Sequence, residues 1–112
     1  MGMKKISDDV ILVELPSKSP KIANELKAVN ETASKQGNCD IIIDFTRVEI
    51  INSTNISNLL ILHNLQLGIG RRLVLCNLAT VTKCIFVVAG LNEVFEFADD
   101  RSAALATVAQ TV

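Results

Sequence analysis

Apolar residues in this chain gather into short unbroken runs, with one clearly amphipathic stretch between them. Val10 to Leu15 is apolar except at Glu14, and Met3 to Ile6 lies across the turn signal Ser7-Asp8-Asp9 from it. The two segments read as a β-hairpin. Pro16-Ser17-Lys18-Ser19-Pro20 ends it, because proline cannot donate to a ladder. Ser19-Pro20 also predicts a helix start, with Ser19 as N-cap and Pro20 at the first helical position. Ile22, Leu26, Val29 and Ala33 then recur at spacings of four, three and four, while Lys21, Glu25, Lys27 and Glu31 fall elsewhere. That spacing predicts one amphipathic helix, closed near Gly37.

Asp40 to Phe45 contains Ile41-Ile42-Ile43, a β-branched run without alternation, which predicts a strand covered on both faces. Val48 to Ile51 either extends it or forms a separate short piece. Asn52 to Leu67 reads as a helix stopped by Gly68 and Gly70, and Arg72 to Cys76 as another buried strand. Thr80 to Ala89 has strand propensity around Cys84-Ile85-Phe86-Val87-Val88. Yet Val81, Cys84, Ile85 and Val88 fit helical spacing and Gly90 is a suitable stop, so a helix is predicted from about Val81 to Ala89. On that reading those four residues face the sheet and Phe86 and Val87 turn partly outward. Val94 to Phe97 predicts a short strand. Asp99-Asp100 opens a last helix, with Ala103, Leu105, Ala106 and Ala109 available for burial and acidic residues placed to suit its dipole.

Alternation of strands and helices implies right-handed crossovers. The fold class predicted is α/β: a mixed, mostly parallel sheet of about four to five strands flanked by about four helices, with an antiparallel strand at one edge. At 112 residues a single domain, 1–112, is expected.

Composition narrows the function. The chain is 49% apolar and 21% charged with a net charge of -1, which argues against disorder and provides no basic footprint for nucleic acid. Four Phe with no Tyr or Trp leave few platforms for stacking bases. No apolar run reaches the ~18 residues of a membrane span, and Met1 to Lys5 leads into Ser7-Asp8-Asp9 rather than an apolar signal core. Cys39, Cys76 and Cys84 form no C-x-x-C pair, which suits a reduced cytoplasm without disulfides or a zinc site. Cys76 and Cys84 read as small buried apolar residues. Cys39 lies in the loop-like Gly37-Asn38-Cys39-Asp40, which leaves exposure open.

Few residues are placed for catalysis. His63, the sole histidine, reads as a partly buried packing residue. Ser53 precedes it by ten residues, about 15 Å along a continuous helix, too far for a Ser-His pair. Asp40, Asp44 and Glu49 fall near strand ends, but Asp44 by itself reads as a solvated turn residue rather than a magnesium or phospho-accepting centre. Gly68-x-Gly70 precedes a strand and lacks the G-x-x-x-x-G-K-[ST] of a phosphate loop. No catalytic residue, metal site or cofactor is predicted.

There remains a polar knot, Asn52-Ser53-Thr54-Asn55, between two segments that favour burial. The first amides of a helix lack partners, and Asn or Ser satisfies them, so Asn52 or Ser53 as an N-cap accounts for the knot. The alternative is an exposed hydroxyl at Ser53, or less favourably Thr54, offered for phosphorylation at a helix terminus that tolerates negative charge.

The segments DFTRVEIINSTNISNLL and GRRLVLCNLATVTKCIFVVAGLNEVF resemble the STAS family, the domain of bacterial anti-sigma factor antagonists. The matching positions are Asp44-Phe45, Val48, Ile51, Ser53, Thr54, Ile56, Gly70 to Leu75 and Gly90 to Phe95. The family's D-S-S-G-L is here Asn52-Ser53-Thr54-Asn55-Ile56, with an amide for the acid and Asn for the glycine. The resemblance implies a non-enzymatic cytoplasmic switch. Its partner is an anti-sigma factor of the serine-kinase type, its phosphorylation site is Ser53, and its docking surface includes Asn52, Ser53, Thr54 and Asn55. Phe86, if outward, adds an apolar contact for that partner or for a weak homodimer. Other readings are an unphosphorylated STAS scaffold or transporter-complex subunit, and a small-ligand or anion binder using the amides of Ser53 to Asn55.

Overall fold

The hairpin expected at the amino end forms, with β1 (Gly2–Ser7) antiparallel to β2 (Val10–Glu14) and Met3 opposite Val13. The computed structural model describes residues 2–110. Beyond the hairpin the chain runs α1 (Lys21–Gln36), β3 (Asp40–Asp44), α2 (Ser53–Gly68), β4 (Leu73–Cys76), α3 (Thr80–Val88), β5 (Glu96–Ala98) and α4 (Arg101–Ala109). The five strands lie in sequence order, β1-β2-β3-β4-β5, and every pair after the first is parallel. This is the mixed, mostly parallel sheet with four helices that the pattern predicts.

The strand order decides where the helices go. Each parallel crossover steps in the same direction, and right-handed connections taken in one direction place their helices on one face. Ile11, Val13, Ile41, Ile43, Leu73 and Leu75 pack on this face with Ile22, Leu26 and Val29 of α1, Leu59 and Leu62 of α2, and Phe86 of α3. The α1 stripe read from its spacing is the buried stripe observed. Gly37 closes α1 in the left-handed conformation at φ 57°, where a side chain is strained.

The alternate strand residues Val10, Leu12, Ile42, Val74 and Cys76 point to the other face, covered by Ala104 and Val108 of α4. β3 is therefore buried on both sides, as its unbroken Ile run predicts. Burial pushes the Cys76 thiol up to about 12, with the neighbouring Asp44 carboxylate adding to the effect, so it is an inert packing group.

Several expectations need correction. Val48 to Ile51 forms no strand; it is a loop in which Val48 and Ile51 are buried and Ile50 is exposed. β5 starts two residues later than predicted, at Glu96. On α4 the buried positions are Ala104 and Val108, not Ala103, Leu105, Ala106 and Ala109, because the helix begins at Arg101 and meets the sheet one position round. Cys39 is buried, its thiol facing Asp8 O and Asn38 Oδ1, while Cys84 lies exposed on α3.

The largest correction concerns α3. It is a helix, as predicted, but its inward residues are Thr82 and Phe86. Phe86 is 0% exposed and meets Phe95 and Phe97 edge-on, with ring centroids 5.5 Å apart in each pair. Val81 and Val88 turn outward instead, Val88 being 87% exposed, while Val87 is outward as expected. The helix is apolar on most sides, so spacing alone does not select a face. The largest side chain gains most by burial, and it takes Thr82 inward with it, four residues back on the same face. Phe86 is thus unavailable for a partner or for a homodimer.

Candidate functional site

All four parallel strands end at one edge of the sheet, and the helix that follows each begins there. The polar knot lies at this edge, where the loop after β3 enters α2. Asn52 is the N-cap: its Oδ1 accepts from Asn55 N at 2.9 Å, and Asn55 Oδ1 accepts in return from Asn52 N at 3.0 Å. This is a capping box built from two asparagines. Since Asn52 discharges the cap, Ser53 is left at the first helical position with its side chain exposed, beside an exposed Thr54.

Ser19 joins the box from the loop after β2. Its hydroxyl donates to Asn55 Oδ1 at 3.2 Å and accepts from Asn52 Nδ2 at 3.2 Å. Ser19 was expected to cap α1; the residue at that N-cap is Pro20, with no side-chain bond, and α1 begins at Lys21. The hydroxyl finds the neighbouring helix rather than its own. The loop before α2 is tied down as well, Glu49 N donating to Ser17 O at 2.9 Å.

Asn55 differs from expectation. Read as part of a docking surface, it is fully buried. At the third helical position its amide must turn back to reach the N-cap, and that turn carries it under Ser19 and away from solvent. Its side chain therefore does not stand between the helix terminus and a partner. Its N–H is also committed to Asn52, so an amide nest over Ser53 to Asn55 loses one of its three donors. Of the four residues of the knot, Asn52, Ser53 and Thr54 are brought to the surface together and Asn55 is not.

A second group at the same edge escaped the sequence reading. Asp44, expected as a solvated turn residue, is 2% exposed. Its Oδ1 accepts from Thr46 N at 2.9 Å, from Thr46 Oγ1 at 2.5 Å and from Asn77 Nδ2 at 3.1 Å. Its Oδ2 accepts from Arg101 Nε at 2.5 Å, and Arg101 Nη2 also reaches Glu14. Burial pushes the Asp44 carboxyl up, but the bonds from Thr46, Arg101 and Asn77 outweigh it and hold the group below its ordinary value. The same bond raises Arg101. One arginine on α4 thus clasps the ends of β2 and β3, and its acidic partners are already spent on it rather than free for a cation. A signal existed in Asp44 and Glu14 at the ends of adjacent strands, but the arginine lies 57 residues from Asp44 and nothing local links them.

His63 is half-buried, its ring edge-on to Phe95 with centroids 5.5 Å apart, as a packing residue should be. Among the described residues, no helix is long and apolar enough to cross a membrane.

The fold and the knot together define an α/β domain with an exposed serine at the start of its second helix. The STAS domain model matches residues 5–104, and the chain belongs to the STAS family. Among solved structures it is similar to the anti-sigma factor antagonist SpoIIAA in its unphosphorylated form, at 15% identity and TM-score 0.75, covering 98% of this chain and 97% of that one. It is also similar to an anti-sigma-factor antagonist (STAS) domain protein from Planctomyces limnophilus, at 14% identity and TM-score 0.84, covering 98% and 100%. Moorella thermoacetica RsbS is a third, at 15% identity and TM-score 0.81, covering 96% and 92%. At these identities the likeness is one of fold. No curated protein sequence matches the chain.

Proposed function

We propose that this protein is an anti-sigma factor antagonist, a cytoplasmic binding module without catalysis, switched by phosphorylation of Ser53. Unmodified, it binds an anti-sigma factor of the serine-kinase type and frees the sigma factor; phosphorylated, it lets go. The observation that carries the reading is the division of labour in the knot. Asn52 and Asn55 satisfy the helix terminus, so the Ser53 hydroxyl is not needed for folding and stands exposed. Support also comes from the fold shared with SpoIIAA, whose phosphorylated form is similar to this chain at 19% identity and TM-score 0.73.

A phosphate at Ser53 sits at the positive end of α2, so the fold accommodates it. At an interface the same charge must be desolvated, and that cost exceeds the helix gain unless the partner supplies a cation. Ser53→Asp is therefore expected to leave stability nearly unchanged and to lower affinity about tenfold, or ~1.4 kcal/mol. Ser53→Ala binds but resists switching. Calorimetric titration of the three proteins against the kinase-type anti-sigma factor encoded nearest the gene is the test. Equal affinities for wild type and Ser53→Asp hand the surface to the second reading, a STAS scaffold that is never phosphorylated. The amide at Asn52, where the family carries an acid, favours that reading.

A further inference from the structure

α3 carries a second apolar face. Val81, Cys84, Ile85, Val88 and Ala89 follow one another at the spacing of a helix stripe that ordinarily meets a core. In this fold the stripe looks out, because Thr82 and Phe86 take the inward side. The five residues line a shallow depression of about 420 Å³ with no charged or amide side chain in it. Val87 extends the apolar arc, and Lys83, the one charge of the helix, stands at its margin.

The size and charge of this face narrow what covers it. Val81, Val87 and Val88 are 66%, 59% and 87% exposed. With Cys84, Ile85 and Ala89 they present on the order of 400 Å² of apolar surface, comparable to the largest patch on a typical monomer. Two such faces pressed together would bury roughly 800 Å² in total, the size of a weak and transient association. A membrane surface is a poor match, since one lysine and a net charge of -1 give little attraction to anionic lipid. The helix termini favour a like partner. α3 begins at Ala79 with no side-chain cap, and it has no acidic residue in its first turn and no basic residue in its last. Both ends of its dipole are thus uncompensated by its own side chains. A second α3 lying antiparallel sets each positive end beside a negative one.

We propose that the outward face of α3 is a homodimer surface, on which a second copy of this chain packs its own α3 antiparallel about a two-fold axis. The interface is isologous, with Val81 and Val88 at its centre beside Cys84. Two packed helices lie about 8–10 Å apart axis to axis, so the two Cys84 thiols come within reach of one another. Among the described residues Cys84 is the one exposed thiol, Cys39 and Cys76 being buried. The pairing needs neither a modified Ser53 nor an anti-sigma factor, so it stands or falls separately from the switching reading.

The test is sedimentation equilibrium of the reduced full chain between about 10 μM and 1 mM, where a reversible dimer with a Kd of roughly 100 μM is expected. Val88→Lys places an ammonium group in the apolar centre, where pairing would strip it of water. It is expected to raise the Kd at least tenfold and to leave the melting temperature of the dilute monomer unchanged. A short bismaleimide should link two wild-type chains through Cys84, and both Cys84→Ser and Val88→Lys, which keeps the thiol, should lose that product. A wild type that remains monomeric to about 1 mM overturns the proposal. Association that survives Val88→Lys overturns it too, since another surface is then responsible. If the wild type is monomeric and Val88→Lys instead weakens binding to the anti-sigma factor, the face belongs to that partner and the homodimer is refuted.

Discussion

The two faces of the sheet are closed by different means. The face under α1, α2 and α3 is filled by large apolar side chains, among them Phe45, Phe86, Leu26, Leu59 and Leu62. The face under α4 is smaller; the helix offers it Ala104 and Val108 and is pinned at its start by Arg101 to Asp44 and Glu14. Apolar burial scales with area and has no partner to lose on titration. A charge clasp is directional and fails when its carboxylate is protonated. The first face should therefore withstand acid, and the second should loosen.

Four measurements break or sharpen this contrast. Phe86→Ala on the first face empties a ring-sized space among Phe95 and Phe97 and is expected to cost about 3–5 kcal/mol in denaturant unfolding. A cost below about 1 kcal/mol would return Phe86 to the surface. Arg101→Met on the second face keeps the stem but leaves the buried Asp44 carboxylate without its cation, and is expected to cost about 1.5–3 kcal/mol. If it costs nothing, α4 is held by Ala104 and Val108 without the clasp.

The third measurement is acid unfolding. Asp44 is held below its ordinary carboxyl value in the fold. Its contribution is complete above the unfolded value, roughly pH 4, and is lost as pH falls through the lower folded value. Stability of the wild type should fall along this limb more steeply than that of Asp44→Asn, which is less stable at neutral pH but lacks the titration. Parallel slopes would show that the clasp contributes no pH dependence. The smallest effect belongs to Val88→Ser, outward on α3, expected to lie within about 0.5 kcal/mol of wild type by thermal unfolding.

α1 and α3 show why one helix was legible and the other was not. In α1, Lys21, Glu25, Lys27 and Glu31 mark out the solvent side, so the remaining stripe can only face inward. In α3 the one charge, Lys83, restricts the choice very little, and the outcome turns on which side chain the neighbouring strands leave room for. Phe95 and Phe97 make that room for Phe86, and both lie beyond the end of the helix in sequence. The same holds at the knot. That small polar residues would cap α2 follows from residue chemistry, and the capping partner of Asn52 is only three positions away. That Ser19 would leave its own helix to brace that cap required the loop after β2 to be brought alongside.

By itself, then, the sequence determined the element types, the mostly parallel sheet and the capping of α2 by small polar residues, because these rest on interactions within a few residues or on a periodicity that polar residues delimit. Tertiary structure alone decided which face α3 buries, how Asn55 is withdrawn from the surface, and that Asp44 is a buried partner of Arg101. In each case the deciding neighbour is distant in the chain, and packing and charge pairing act between whatever the fold brings together, with no record of that meeting in the local pattern.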